Sequence, residues 1–529
     1  MADGDAARID RRAFGGIVAG IAAAGGGRLV LPGHAPAAIV REGARPGLPN
    51  GVQSGDVSGK SAVVWSRTDR PSRMWVEWST SEGFRDARRV RGPAALPEDD
   101  FTARAVLGNL PPGQRVFYRV TFQDLNEPKV RSEPAVGSFR TPPADRSAVK
   151  LAWSGDTAGQ GWGIDRDRGG MATYEAMRKA EPHVFLHSGD HIYADNPILP
   201  EVTLDDGTAW RNLTTPETLG VAQSLAEYRG RFRYNLLDEH VRRFHAEVPM
   251  LAQWDDHETT NNWYPGEILD DPKYDRVKSV DQLAAWGKRA FFEYLPVRRH
   301  PDDAERIDRV IHYGPLMDVI VLDERTFRGP NGPNREDRAG PNAAILGAGQ
   351  LARTKGRLKA SRAVWKVIAS DMPLGIVVGD GPDRYEAFAQ GDKGGPLGRE
   401  REAASLLKFI RDNEIRNVVW LTADVHYAAA HHFDPSRAVF TDFHPFWEFV
   451  AGPLHAGTFG PGVLDPTFGP KEVFRSIPAG MKGNRPPSEN LQFFGTVQIG
   501  GPEATMTVGL HDRTGKTLYT VELPAERAG

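Results

Sequence analysis

Between residues 51 and 140 apolar and polar residues alternate with period two, in SAVVWSR, RMWVEWST and RVFYRVTF, and Pro and Gly interrupt the runs. Alternation of this kind fits half-buried strands, whose successive side chains face opposite sides of a sheet. From Val149 the pattern changes. Apolar runs of strand length (KLAWSGD, VFLHSGD, VPMLAQWDDHE, IHYGPLMDVIVLDER, WKVIASD, NVVWLTADVH) alternate with stretches of helical character near 171–181, 225–245, 349–360 and 400–411. Strands alternating with helices predict an α/β domain whose sheets are covered on both faces. GTVQIG, ATMTVGL and TLYTVEL then predict a closing set of antiparallel strands. At 529 residues the chain exceeds what one simple core organises.

The pattern divides the chain into three segments. Residues 44–140 predict a small β-sandwich, and LGNLPPG at 107–113 followed by Phe117-Tyr118 resembles a corner of a fibronectin type III domain. Thr141-Pro142-Pro143-Ala144 reads as a rigid linker, and 148–525 as the α/β domain. Ahead of both, Arg11-Arg12 precede the uncharged run AFGGIVAGIAAAGGG and then Ala35-Pro36-Ala37. A paired arginine, a weakly apolar run and a small-residue site together resemble a twin-arginine export signal over 1–37. That run is too short and too rich in glycine to span a bilayer stably. The expectation is a periplasmic or secreted protein, carried by the twin-arginine machinery and without a stable membrane anchor.

Composition narrows the chemistry. A formal net charge of −3 argues against a general nucleic-acid binder, which would carry a basic excess. The sequence contains no cysteine, so disulfides, thiolate-bound zinc and thiol nucleophiles are excluded. Any metal must be held by oxygen and nitrogen.

Four of the apolar runs end in acids: Ser154-Gly155-Asp156, Ser188-Gly189-Asp190, Trp254-Asp255-Asp256-His257-Glu258 and Thr422-Ala423-Asp424-Val425-His426. In open α/β sheets ligands collect outside the carboxyl ends of the strands. That rule brings Asp156, Asp190, Asp256, His257, Asp424 and His426 to one crevice. So many like charges repel unless cations lie among them. Asp190 offers two oxygens and can serve two ions. Tyr193 is spaced to curl back to the same centre, and a phenolate suits ferric iron. In WDDHETTNNW, Asn262 or Asn261 offers a neutral amide oxygen. His257 is either a ligand or a donor to the phosphoryl group or leaving oxygen. Taken singly, each residue also has a structural reading, as a turn, a helix cap, a core aromatic or a satisfied histidine.

Taken together, SGD, GDHIY, WDDHETTNNW and TADVH resemble the PhoD-type alkaline phosphatases and phosphodiesterases of the calcineurin-like metallophosphoesterase superfamily, and more distantly purple acid phosphatases. LDERTFR, WKVIASDMPLG, HPFWEFVAGPLHAGTFGP and GVQSGDVSGKSAVVWSR are similar to PhoD-type sequence as well. The resemblance implies a four-layer αββα sandwich, a ferric ion beside calcium ions, and hydrolysis of phosphate mono- and diesters outside the cytoplasm. It matches Asp190 and Tyr193 to the G-D-x-x-Y ligands, Asn262 to the ligand Asn, and Asp424 and His426 to the closing D-x-H. Asp156 departs from it, because family members with the iron–calcium cofactor carry a Cys there. An oxygen ligand hardens that position, so zinc or manganese stand beside iron and calcium as expected ions. The candidate ligands are thus Asp156, Asp190, Tyr193, Asp256, Asn262, Asp424 and His426, with His257 the catalytic candidate. The expected reaction is attack by a metal-activated water on small phosphate-ester substrates. The alternatives are a phospholipase D-like phosphodiesterase of the same family and, from another class, a non-catalytic exported binding module.

Overall fold

The computed structural model describes residues 45–526, so the export signal expected over 1–37 lies outside the described residues. Two large sheets organise the fold. The first has nine strands and is centred on three parallel ones, Val149–Ser154, Val184–Ser188 and Met250–Gln253. The closing antiparallel strands Phe493–Gly500, Thr505–Asp512 and Thr517–Leu523 extend one side of it. The second sheet has seven strands. Met317–Val321, Trp365–Ala369, Val418–Thr422 and Phe446–Val450 run parallel in its middle.

Alternation along the strands sorts the side chains into three layers of core. Leu151, Trp153, Val184, Leu186 and Leu251 share one cluster with Val319, Val321, Val367, Ala369, Val419 and Leu421 of the other sheet. Their chain neighbours Ala152, Phe185, Met250 and Ala252 belong to a second cluster, with residues of the helices Ala172–Lys179, Leu225–Asn235, Glu239–Glu247 and Val280–Tyr294. Ile320, Ile368 and Trp420 belong to a third, with residues of Gly347–Ala360 and Glu400–Asp412. The layers therefore run helix, sheet, sheet, helix, the αββα sandwich expected from the sequence.

The N-terminal β segment forms a four-stranded sheet, ordered Arg88–Ala95, Ser72–Ser79, Arg115–Asp124 and Ala135–Arg140. Its Met74, Val76, Tyr118 and Val120 share a core with Val57, Val64 and Ala105, which lie on Val52–Ser58, Ser61–Arg67 and Thr102–Leu107. Those last three strands also complete the nine-stranded sheet, because Val52–Ser58 pairs in parallel with Met250–Gln253 at Gly55 and Met250. A Cβ on Gly55 would sit 2.6 Å from the Pro296 carbonyl and 2.7 Å from that of Met250, so this seam needs glycine.

Two helical details differ from the sequence reading. The stretch 225–245 divides into two helices, because the Asp238 side chain accepts from the amides of His240 and Val241 at 2.9 and 3.2 Å and starts a new one. Helix Val280–Tyr294 is an addition. Its Val280, Leu283, Gly287, Ala290, Phe291 and Tyr294 recur at three- and four-residue spacing and are buried. Gly287 lies against the Glu258 carbonyl, where a Cβ would come within 2.1 Å, and so supports the loop that carries the central acids.

Candidate metal centre

Register brings the strand ends level. Ser154 pairs with His187, and Ser188 with Gln253, so Gly155-Asp156, Gly189-Asp190 and the Trp254–Glu258 turn leave the first sheet side by side. The loops then knit together: the Thr157 amide donates to the Asp190 carbonyl at 2.9 Å, and that of Asp156 to the Gly189 carbonyl at 3.3 Å. Asp424 and His426 enter from the end of Val418–Thr422 in the second sheet. Asp156, Asp190, Asn262, Asp424 and His426 all have left-handed backbones, with φ of 68°, 53°, 53°, 62° and 62°. Non-glycine residues rarely adopt that region, and clusters of them mark functional sites.

Gly189 has φ +98°, and a Cβ there would lie 2.4 Å from the Asp255 Cβ. Gly189→Ala is therefore expected to cost about 1–3 kcal/mol through overpacking alone and to push the Asp190 loop away from its neighbour. Denaturant unfolding and metal analysis on the same preparation check this.

Three groups of acids and imidazoles converge, each with ligand atoms within 4.8 Å of one another: Asp156, Asp190 and His426; Asp190, Asp256 and His257; Asp255, Asp256 and Asp424. Asp190 joins the first to the second, and Asp256 the second to the third. Tyr193 belongs with the first group, its hydroxyl 2.9 Å from His426 Nε2 and 3.4 Å from Asp156 Oδ1. His426 Nδ1 meets the Gly457 carbonyl, which fixes the ring with Nε2 inward. Asn262 donates its backbone N–H to Asp256 Oδ2 at 2.6 Å and its side-chain Nδ2 to Asp380 at 3.1 Å. The amide oxygen is then the atom available to a cation. Asn261 is exposed, and its backbone N–H goes to Asp195 at 3.2 Å.

His257 is held from three sides. Its backbone N–H donates to Asp190 Oδ1 at 3.1 Å, and Nδ1 lies 2.7 Å from Asp195 Oδ1. Nε2 remains 3.9 Å from Asp256 Oδ2. Burial favours the neutral ring, but Asp195 and Asp256 outweigh it and raise His257 to about 10.

Electrostatics agree with a need for cations. Burial pushes the Asp156 carboxyl up to about 8 and Asp190 and Asp424 well above the usual range, and neighbouring acids push further. Asp156 Oδ2 and Asp256 Oδ1 are buried without a hydrogen-bond partner. Orphaned carboxylate oxygens beside imidazole and phenol form a hard, oxygen-rich donor set. The residues fit a centre of two or more metal ions.

Several residues do supporting work that the sequence did not assign. The Glu258 carboxylate accepts the backbone N–H of Asp190 at 3.2 Å, of Asp255 at 2.8 Å, and also of His191, locking two acid-bearing loops together. The His191 ring turns away, stacks on His187 at 3.6 Å and donates to the Gln253 carbonyl at 3.1 Å. Arg325 and Arg328, readable from sequence either as a substrate fork or as carboxylate partners, are both buried on carboxylates. Arg325 meets Asp255, Asp371 and Glu386 at 2.6, 3.2 and 2.7 Å, and Arg328 meets Glu386 at 3.3 Å.

At this centre opens a crevice of about 530 Å³ whose lining includes Asp190, Asp256, His257, Asn262, Asp424 and His426. Asp156 and Tyr193 are buried behind them.

Layers and converging strand ends define the class: a two-sheet α/β sandwich with a candidate metal centre where its parallel strands end. Residues 151–510 match the model of the PhoD-like phosphatases, and residues 33–143 match that of the PhoD-like phosphatase N-terminal domain. The chain belongs to the PhoD-like phosphatase family. Alkaline phosphatase D of Bacillus subtilis (strain 168) is 28% identical over 400 residues, which cover 71% of this chain and 64% of that protein. The solved structure of PhoD superposes with a TM-score of 0.64 at 20% identity, covering 89% of this chain and 92% of its own. Purple acid phosphatase PPD1 from yellow lupin (Lupinus luteus) seeds gives 0.55 at 11% identity, with coverages of 91% and 74%. At such identities the two solved structures speak for the fold.

Proposed function

We propose that this chain hydrolyses phosphate monoesters, diesters or both outside the cytoplasm, with a metal centre held by Asp156, Asp190, Tyr193, Asp256, Asn262, Asp424 and His426. One observation carries the reading: three ligand groups overlap through Asp190 and Asp256, both of which line an open crevice. Membership of the PhoD-like phosphatases supports the ester chemistry. When bound, the ions supply an activated water for in-line attack and neutralise charge on the phosphoryl oxygens. Asp190, common to two neighbouring groups, would be shared between their ions. His257 serves the phosphoryl group, because Asp195 accepts from Nδ1 and turns Nε2 into the crevice. Ferric iron with calcium is the proposed ion set. Tyr193 favours iron, whereas Asp156 in place of a thiolate makes zinc or manganese the alternative.

The export reading rests on the pattern of residues 1–37. Among the described residues no helix is long and apolar enough to cross a membrane.

The test combines metal analysis, visible absorption and turnover on protein made through its native export route. Iron bound by Tyr193 is expected to give a phenolate-to-metal absorption that Tyr193→Phe abolishes. Chelation is expected to remove hydrolysis of aryl mono- and diesters. Full activity after complete chelation overturns the reading, and a colourless active protein replaces iron with zinc or manganese.

A further inference from the structure

We propose that the crevice selects phosphate esters whose phosphoryl group carries an apolar arm, seated on a wall made by Val377, Val463 and Phe459. This inference rests on the phosphoesterase reading above and names the substrate class for that site.

The crevice lining is of two kinds. Besides the acids and histidines it includes the apolar Ile376, Val377, Val378, Tyr427 and Phe459. A short antiparallel ribbon builds this wall, pairing Ile376 with Leu464 and Val377 with Val463. Directly opposed residues share a face of such a ribbon. Ile376 is buried at 1%, whereas Val463 is 71% exposed and, paired with the lining residue Val377, prolongs its face toward solvent. Phe459 stands edge-on to His426, with ring centroids 5.4 Å apart, so the wall begins beside the candidate ligands.

The wall is held in place rather than draped over the site. The Gly462 N–H donates to the Tyr427 hydroxyl at 3.2 Å. Gly460 has φ +89°, and a Cβ there would lie 2.7 Å from the Tyr427 ring; at Gly462 it would lie 2.4 Å from Ile376. Glycine at both positions lets the segment lie directly on Tyr427 and Ile376.

Charge points the same way. Among the described residues that line the crevice there is no Lys or Arg. Arg325 and Arg328 are buried on carboxylates, and Arg384 is paired with Asp380 at 2.8 Å. An arm bearing a second phosphate or a carboxylate would find only His257 and the site's own ions as counter-charges, which the reacting phosphoryl group already engages, whereas an alkyl or aryl arm removes apolar surface from water.

The experiment uses metal-loaded full-length protein and 4-nitrophenyl alkyl phosphodiesters from methyl to hexyl, which share one leaving group. kcat/KM is expected to rise about threefold per methylene while the arm stays on the wall. A carboxylate-ended arm of hexyl length is expected to do no better than methyl. Val463→Asp, at an exposed position that folding tolerates, and Phe459→Ala are each expected to flatten the rise. A flat or falling series with measurable methyl turnover overturns this inference alone, as does an unchanged slope in Val463→Asp. Absence of turnover with every ester overturns the phosphoesterase reading and this inference with it.

Discussion

Asp190→Asn is expected to empty the metal centre and abolish turnover together. Asp190 is the one side chain common to the Asp156–His426 group and the Asp256–His257 group, so it would be shared between two ion positions. An amide keeps one acceptor oxygen and loses the charge. Loss of a partner that only orients a ligand typically costs 10–100-fold in metal affinity, so a shared ligand is expected to cost more than about 100-fold. Turnover should fall by about a hundred- to a thousandfold, the scale for removing a group that supports transition-state charge. The metal-free proteins should behave differently. Burial and the Asp256 and Asp255 charges hold the Asp190 carboxyl well above its usual range, so its ionised form works against folding there. The metal-free variant is expected to unfold no earlier than metal-free wild type, while the stabilisation that added metal gives wild type disappears. Elemental analysis, initial rates and melting curves with and without metal read these effects. Normal metal content with a near-normal rate would sink the bridging role.

Much of this centre was legible because an apolar strand, a glycine and an acid form a local signal. The run VFLHSGD needs only its own residues to place Asp190 at a strand end, the same holds for Asp156, and Asp424 follows its apolar run without the glycine. Covered sheet faces were legible from strands alternating with helices, whereas the two-sheet layering came with the family resemblance; in the fold, period two sends Trp153 to the core between the sheets and Ala152 to the helices. What stayed hidden depends on pairings far apart in sequence. Nothing local to Val52–Ser58 shows that it borders Met250–Gln253 and carries the N-terminal strands into the first sheet. Asp195 reads as a spare acid until the fold sets it 2.7 Å from His257. Helix Val280–Tyr294 was readable, since its buried positions keep helical spacing, but Gly287 and the charged residues between them diluted the apolar signal. Arg325 is the extreme case, since its sequence neighbours suit a substrate fork as well as a buried ion network.

Arg325→Leu is expected to cost about 3–5 kcal/mol of stability, the penalty for leaving buried carboxylates without their cation. Arg325 is fully buried and follows Met317–Val321 in the second sheet. Its guanidinium binds Asp255, just beyond Met250–Gln253 of the first sheet, and Asp371 and Glu386 beyond Trp365–Ala369 of the second. It also lies 3.8 Å from Asp256 and from Asp424, both candidate ligands. Burial alone would favour a neutral side chain, but Asp255 and Glu386 outweigh it and hold the guanidinium charged. The group therefore ties the strand ends of both sheets together at the level of the metal centre. Arg325→Lys keeps the charge but lacks the planar fork that reaches Asp255 and Glu386 together, so it should recover only part of the loss. Adding Asp255→Asn and Asp371→Asn to Arg325→Leu should recover part of the stability, since Glu386 then keeps Arg328 as its partner and the two other carboxylates are neutral. Metal affinity separates positioning from plain stability: a 10–100-fold loss is expected in Arg325→Lys under conditions where that variant is fully folded. Denaturation midpoints and metal titrations measure both, and a wild-type midpoint in Arg325→Leu would show that the network does not hold the two sheets together.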